Sequence, residues 1–171
     1  VLKLLRVIRN VRSSIEEQNE FPLLKTLSNH LDPLSSLFKE LERCIDEEGE
    51  IKENASPELK LATRDVLVAK QKLESKVGKF FSGETYKEAI QDSYHTEREG
   101  RLVIPVKSEK RSQVEGIVHD SSGSGQTLYI EPSSIVPLNN QLKINRLAVD
   151  REKRKILQSL TRQVLDSGEI I

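Results

Sequence analysis

The stretch from Arg98 to Pro132 constrains the fold most, because its apolar residues recur at every second position while those elsewhere recur every third or fourth. Leu102, Ile104 and Val106, then Val114, Gly116 and Val118, then Leu128 and Ile130 keep a period of two. That is the period of side chains alternating between the two faces of a strand. Three short strands are therefore expected in an otherwise helical chain. Pro105 has no N–H to give to a ladder, which places the first strand at an edge. Asp120 to Gln126, rich in Ser and Gly, reads as the loop joining the second strand to the third. The expected element is a small antiparallel β-sheet inserted at the tip of a helical arm.

The remainder is written for helices. Val1, Leu4, Ile8, Val11 and Ile15 lay one apolar seam, flanked by Lys3, Arg6, Arg9 and Arg12, which read as a solvated stripe. Glu20, Phe21 and Pro22 end or bend that helix, and Leu23 to His30 forms a short amphipathic piece. Asp32 as N-cap and Pro33 at the first helical position start another helix carrying Leu34, Phe38, Leu41 and Ile45. Asp46 to Glu50 is an acidic turn without the ligand spacing of a calcium loop, and Ile45 and Ile51 pair across it as a minimal hairpin. Ser56 and Pro57 then open a long helix whose seam runs through Leu59, Ala62, Val66, Ala69 and Leu73, then Val77 and Phe80. After a short helix around Thr85 to Gln91 and the strands, Ile135, Leu138, Leu142, Val149, Ile156, Leu160 and Val164 mark a return helix. Asn145 and Glu152 interrupt its seam.

The fold expected is thus mainly α: a helical core plus long antiparallel lever helices with a small antiparallel β insertion. Its segments are a helical core over 1–56, an outgoing lever helix and short helix over 57–97, the β insertion over 98–134 and a return lever helix over 135–171. With 32% charged and only 4% aromatic residues, an elongated body is expected. The formal net charge is zero, so any polyanion binding must come from a local patch. Cys44, the single cysteine, excludes an internal disulfide and a multiple-thiolate zinc site, suits a reducing cytoplasm and reads as a buried small residue. No run of apolar residues is long enough to span a bilayer, so no membrane partner is expected. The chain has no Met and is already helical at Val1, so a piece of a longer protein is expected.

Candidate chemistry is sparse. Between Arg98 and Arg111 five basic residues (Arg98, Arg101, Lys107, Lys110 and Arg111) stand against Glu99 and Glu109, which makes this the best polyanion patch; the competing reading is protection of an exposed strand edge. Ser121 to Thr127, with Ser124 at its centre, lacks a phosphate-loop lysine and joins strand to strand. It is either a phosphate-holding run of backbone N–H groups or a flexible hairpin loop. His119 falls beside that loop, on one face with Glu115 and Ile117, and suits a structural hydrogen bond to Asp120 or to the loop backbone. His30 and His95 lie far from any matched acid or second ligand, so no metal site or triad is visible, and an independent hydrolase has no base or nucleophile to use.

Four stretches, A-S-P-E-L at 55–59, G-R-L-V-I-P-V-K at 100–107, G-I-V-H-D-S-S-G-S-G-Q-T-L-Y-I-E-P at 116–132 and L-N-N-Q-L at 138–142, resemble the second bacterial MutS-like family. This is the Smr-bearing endonuclease branch of the mismatch-repair ATPases. The chain departs from the family's pattern at Glu99, where Asn is usual before Gly100, and at Ser121 and Gly123. The resemblance implies the core and lever region ahead of the ATPase, with the sheet where mismatch-repair relatives place a DNA clamp. It implies a homodimeric, DNA-dependent ATPase and endonuclease as parent, using ATP and magnesium. Members act on branched DNA in suppressing recombination, or on collided ribosomes. The stretch itself is expected to hold no cofactor or catalytic residue and to couple the ATPase to bound nucleic acid, with Arg98, Arg101, Lys107, Lys110, Arg111, His119 and Ser124 as contacts. The alternative is a coiled-coil dimerisation module without nucleic-acid contact.

Overall fold

The computed structural model describes residues 1–17 and 21–168. It is mainly α with one small four-stranded antiparallel sheet, and it divides into two compact units. One comprises residues 1–60 and the chain from Asp150 onward; the other comprises Leu61–Val149.

In the first unit, α1 (Leu2–Glu16), α2 (Pro22–Ser28) and α3 (Ser35–Cys44) pack around Leu5, Leu37, Phe38, Leu41 and Cys44. The seam of α1 is rotated from the expected one. Leu5 is buried while Val1, Leu4, Val7 and Val11 are exposed. The arginines of the basic stripe, although Arg6 and Arg9 stay exposed, make contacts within the unit. The Arg9 guanidinium sits 4.4 Å from the centroid of the Phe38 ring, Arg12 Nη1 donates to the Leu31 carbonyl at 3.0 Å, and Arg6 lies 3.6 Å from Glu42. Aliphatic stems and a planar cation cover apolar surface well, so an arginine can occupy a packing position that periodicity reserves for leucine. Of the residues expected to end α1, Glu20 lies outside the described residues.

Helix α3 starts later than Asp32-Pro33 predicts. Asp32 Oδ1 accepts the Leu34 N–H at 2.8 Å and closes a local turn, which holds Leu34 at a φ of 40° and delays the first helical residue to Ser35. Ile45 and Ile51 form the expected single bridge around the acidic turn. Cys44 is buried, and burial followed by the nearby Glu40 carboxylate pushes its thiol pKa up, as expected of an inert core cysteine.

Helix α4 (Pro57–Ser82) begins where the sequence places it, with Ser56 Oγ accepting the Leu59 N–H at 3.0 Å. Ser56→Ala is expected to destabilise the protein by about 1 kcal/mol, read as a lower urea midpoint. An unchanged midpoint would mean that packing of the fully buried Leu59 alone fixes the helix start.

The second unit pairs α4 with the first half of α5 (Val136–Asp166), and the sheet lies on them. Ala69, Leu73, Val77 and Phe80 of α4 and Leu142 of α5 pack with Leu102, Ile104, Val106 and Ile130, the apolar face of the sheet. Asn145, predicted to interrupt the seam of α5, donates to the Asp65 carbonyl at 2.9 Å, a polar contact in place of an apolar one. The strands are β1 (Thr96–Arg98), β2 (Arg101–Lys107), β3 (Gly116–Ser121) and β4 (Thr127–Pro132), in the order β1-β2-β4-β3. Among the described residues there are four strands, not three: Glu99 and Gly100, both with positive φ, turn the chain so that Thr96–Arg98 folds back on β2.

Strand β2 is therefore interior in the strand order, and the reading of Pro105 as an edge marker holds only locally. Its pairing divides along its length: residues 101–103 face β1, and 104–107 face β4. At Pro105 the side away from β4 meets only residues 89–91, through Gln91 N–H to Pro105 O at 3.0 Å, Lys107 N–H to Ala89 O at 2.9 Å and one bridge, Ile90 to Val106. The missing proline N–H ends that short pairing, so the strand is locally an edge. The same bridge replaces the expected helix over 85–91, of which only a 3-10 turn, Glu84–Tyr86, remains. A second 3-10 turn, Ser108–Gln113, delays β3 to Gly116, and the loop between β3 and β4 shortens to residues 122–126.

Candidate nucleic-acid interface

The face of the sheet opposite α4 carries a layer of charge. Thr96 pairs with Val103 across β1 and β2, and Ile117 with Glu131 across β3 and β4. Strand β3 has a bulge between Val118 and Asp120, one residue more than β4 opposite it. His119 stays with Ile117 on the face of Glu131, as the alternation predicts, and the bulge sets Asp120 opposite Tyr129. His119 Nε2 is 2.7 Å from Glu131 Oε2, so its partner is this carboxylate and not Asp120 or the loop. Asp120 instead holds Arg98 at 2.8 Å, with the Arg98 guanidinium 4.2 Å from the centroid of the Tyr129 ring.

Glu131 is the centre of this layer. Its Oε1 accepts from Arg101 Nη1 at 2.6 Å and from Asn139 Nδ2 at 2.8 Å, while its Oε2 meets His119. Asn139 also brackets the Leu102 backbone, accepting its N–H at 3.0 Å and donating to its carbonyl at 3.0 Å; Arg101 Nη2 reaches Asn140 Oδ1 at 2.6 Å. A second tie joins α5 to β1, where Arg146 donates to Glu97 at 2.9 and 3.4 Å. The hydrogen bonds from Arg146 hold the Glu97 carboxyl below the usual carboxylate range, in spite of some desolvation.

The five basic residues of the candidate patch thus separate into two groups. Arg98 and Arg101 face carboxylates within the sheet layer, and Asp120 and Glu131, from outside the segment, offset two of its positive charges. Lys107, Lys110 and Arg111 lie at the opposite end of β2 and in the 3-10 turn after it. Neither lysine ammonium has an ion-pair or hydrogen-bond partner among the described residues. Arg111 donates to the Val114 and Gly116 carbonyls, each at 2.8 Å, which ties down the turn and leaves its charge without a carboxylate.

The loop bearing Ser124 adjoins this group: Ser108 N–H donates to Gln126 O at 2.9 Å, and Lys107 is paired with Thr127. The loop is a tight turn in which Gly125 N–H reaches Ser122 O at 2.8 Å and Thr127 N–H reaches Ser122 Oγ at 3.1 Å. Ser124 is exposed at its head, its Oγ 3.3 Å from that of Ser122. Lys107, Lys110, Arg111 and Ser124 therefore fall at one end of the sheet, and Arg98, Arg101 and His119 in the layer around Glu131 and Asp120. No cluster of three or more potential metal ligands occurs among the described residues.

Glu131, Asn139, Asn140 and Tyr129 were not singled out from the sequence. A signal existed for Glu131: it shares the parity of Tyr129, between Ile130 and Pro132, where a charge in a short inner strand requires a partner.

These features define the class: a helical unit with a small antiparallel sheet, whose polar layer draws Arg101, His119 and Glu131, and Asn139 and Asn140, from three of the stretches that carry the MutS-like resemblance. No family model matches the chain. Curated proteins named endonuclease MutS2 do match it. The one from Clostridioides difficile (strain 630) is 40% identical over 169 residues, 96% of this chain and 21% of that protein. Those from Symbiobacterium thermophilum and Synechocystis sp. are 38% identical over 163 residues and 35% identical over 159, covering 95% and 93% of this chain and 20% and 19% of theirs. The resemblance to the second bacterial MutS-like family holds along nearly the whole chain, as similarity to one segment of the MutS2 endonucleases. The chain spans about a fifth of the length of the curated relatives it matches. No helix among the described residues is long and apolar enough to cross a membrane.

Proposed function

We propose that this chain serves a MutS-type endonuclease as a contact and coupling segment. The end of the sheet touches the backbone of a nucleic acid, and α4 and α5 act as core and lever helices linking that contact to an ATPase elsewhere in the parent. The observation that carries this reading is the sorting of cations: Arg98 and Arg101 are internally offset, whereas Lys107, Lys110 and Arg111 are left without carboxylates beside an exposed Ser/Gly turn. Lysines at a sheet end hold phosphates without reading sequence. In this reading the parent is a cytoplasmic homodimer using ATP and magnesium, its substrate is branched DNA or a collided ribosome, and the chain supplies surface and not reacting groups.

The test is fluorescence anisotropy with a labelled four-way DNA junction and with duplex DNA. Lys107→Ala/Lys110→Ala is expected to weaken binding about tenfold on either DNA and to flatten the salt dependence by close to two in log–log slope. Arg111 is left intact because its hydrogen bonds shape the turn. Unchanged affinity and slope would remove this surface.

A second reading, a dimerisation module, is favoured by the apolar residues of α1 that the first unit leaves exposed, Val1, Leu4, Val7 and Val11. A clean monomer in sedimentation at high concentration would exclude it.

A further inference from the structure

A second set of cationic residues, distinct from those assigned above, lies on α4. Lys72, Lys76 and Lys79 follow one another at spacings of four and three, which places them on one face of the helix. All three are exposed, and none of their ammonium groups has an ion-pair or hydrogen-bond partner among the described residues. At other such spacings opposite charges pair, Lys70 with Glu74, Arg12 with Glu16 and, three apart, Glu152 with Lys155. On this face the same spacings set lysine beside lysine, an arrangement that disfavours the helix unless an anion lies against it.

The lysines also line a concave surface. A groove of about 490 Å³ lies between them and Leu138 of α5, and it adjoins a smaller depression of about 210 Å³ walled by Lys76, Lys79, Tyr86 and Ser134. No carboxylate lines either one. Tyr86 is half-buried, its ring 5.1 Å from that of Phe80, so an aromatic side stands at the end of the cationic track. The first turn of α5, next to Ser134, carries no acidic residue.

We infer that this groove binds a single nucleic-acid strand, its phosphates along Lys72, Lys76 and Lys79 and a base toward Tyr86. The seven steps from Lys72 to Lys79 rise about 10 Å, a length that spans roughly three phosphates of a strand. A cationic track ending on an aromatic ring is the arrangement that takes unpaired bases. The surface is separate from Lys107, Lys110 and Arg111, and the inference stands or falls independently of the contact proposed there.

The experiment measures anisotropy of a labelled oligothymidylate with the whole chain across a salt series, with poly-glutamate as competitor. Lys72→Ala/Lys76→Ala/Lys79→Ala is expected to lose at least tenfold in affinity and about two in log–log salt slope, and the three Lys→Arg changes to restore both. Helix content by circular dichroism should be unchanged, since alanine favours a helix at exposed positions. Lys107→Ala/Lys110→Ala is measured alongside. Loss there with none in the α4 variant would overturn this inference and leave the sheet contact standing. It is also overturned if the chain binds no oligothymidylate, if arginine fails to restore binding, or if poly-glutamate competes at equal charge concentration and the α4 variant no longer binds it.

Discussion

Glu131→Ala is expected to destabilise the protein by about 3–5 kcal/mol, among the largest losses a single side chain here could cause. Glu131 is fully buried and its Arg101 partner is only 23% exposed, so this pair is not a solvent-screened surface bridge. Removing the carboxylate strands a guanidinium, one donor of Asn139 and the His119 ring nitrogen in a site with little water to replace it. The damage extends to the backbone, because Asn139, oriented by Glu131, brackets Leu102. Urea unfolding followed by circular dichroism measures the loss. Glu131→Gln, which keeps the shape and one acceptor oxygen, should fall between the wild type and alanine, and a cycle with Arg101→Met should show coupling of about 1–3 kcal/mol. A Glu131→Ala midpoint equal to that of the wild type would show that the layer adds nothing to stability.

Gly116→Ala should cost about 3 kcal/mol or more for a different reason. A Cβ at Gly116 would collide with the Glu131 carbonyl oxygen, and it would lie 2.9 Å from the Glu131 carbonyl carbon and 2.9 Å from Ile130 Cγ2. The obstacle is backbone of the paired strand, so relief requires pulling β3 from β4 where Gly116 meets Pro132. Gly123→Ala is the control, since a Cβ there meets nothing within 4 Å. The expected result is a melting temperature lower by roughly 6–12 °C for Gly116→Ala and almost unchanged for Gly123→Ala. Equal melting of the two would mean that the strands separate at little cost.

Both predictions concern residues that the sequence reading passed over or saw only as part of a pattern. The period of two identified Gly116 as a strand residue, but nothing local to it says that another strand's carbonyl lies against its α-carbon. The basic count between Arg98 and Arg111 was legible. Its division was not, because the carboxylates that offset Arg98 and Arg101 come from Asp120 and Glu131, on strands later in the chain. His119 was placed beside the loop and on the face of Ile117 correctly, and its partner was missed because Glu131 lies on the paired strand, where no local pattern indicates it.

What the sequence by itself determined is what short-range physics governs. The start of α4 follows from Ser56 and Pro57, and its buried face from the seam through Leu59, Ala69, Leu73, Val77 and Phe80. The minimal bridge at Ile45 and Ile51, the burial of Cys44 and the existence of an antiparallel sheet within 98–132 were equally readable. Only the tertiary structure decided which helix face packs when an arginine can lie on Phe38, where Pro105 sits relative to its neighbours, and which cations keep their charge free. Those outcomes depend on partners many residues away, whose approach no local periodicity encodes.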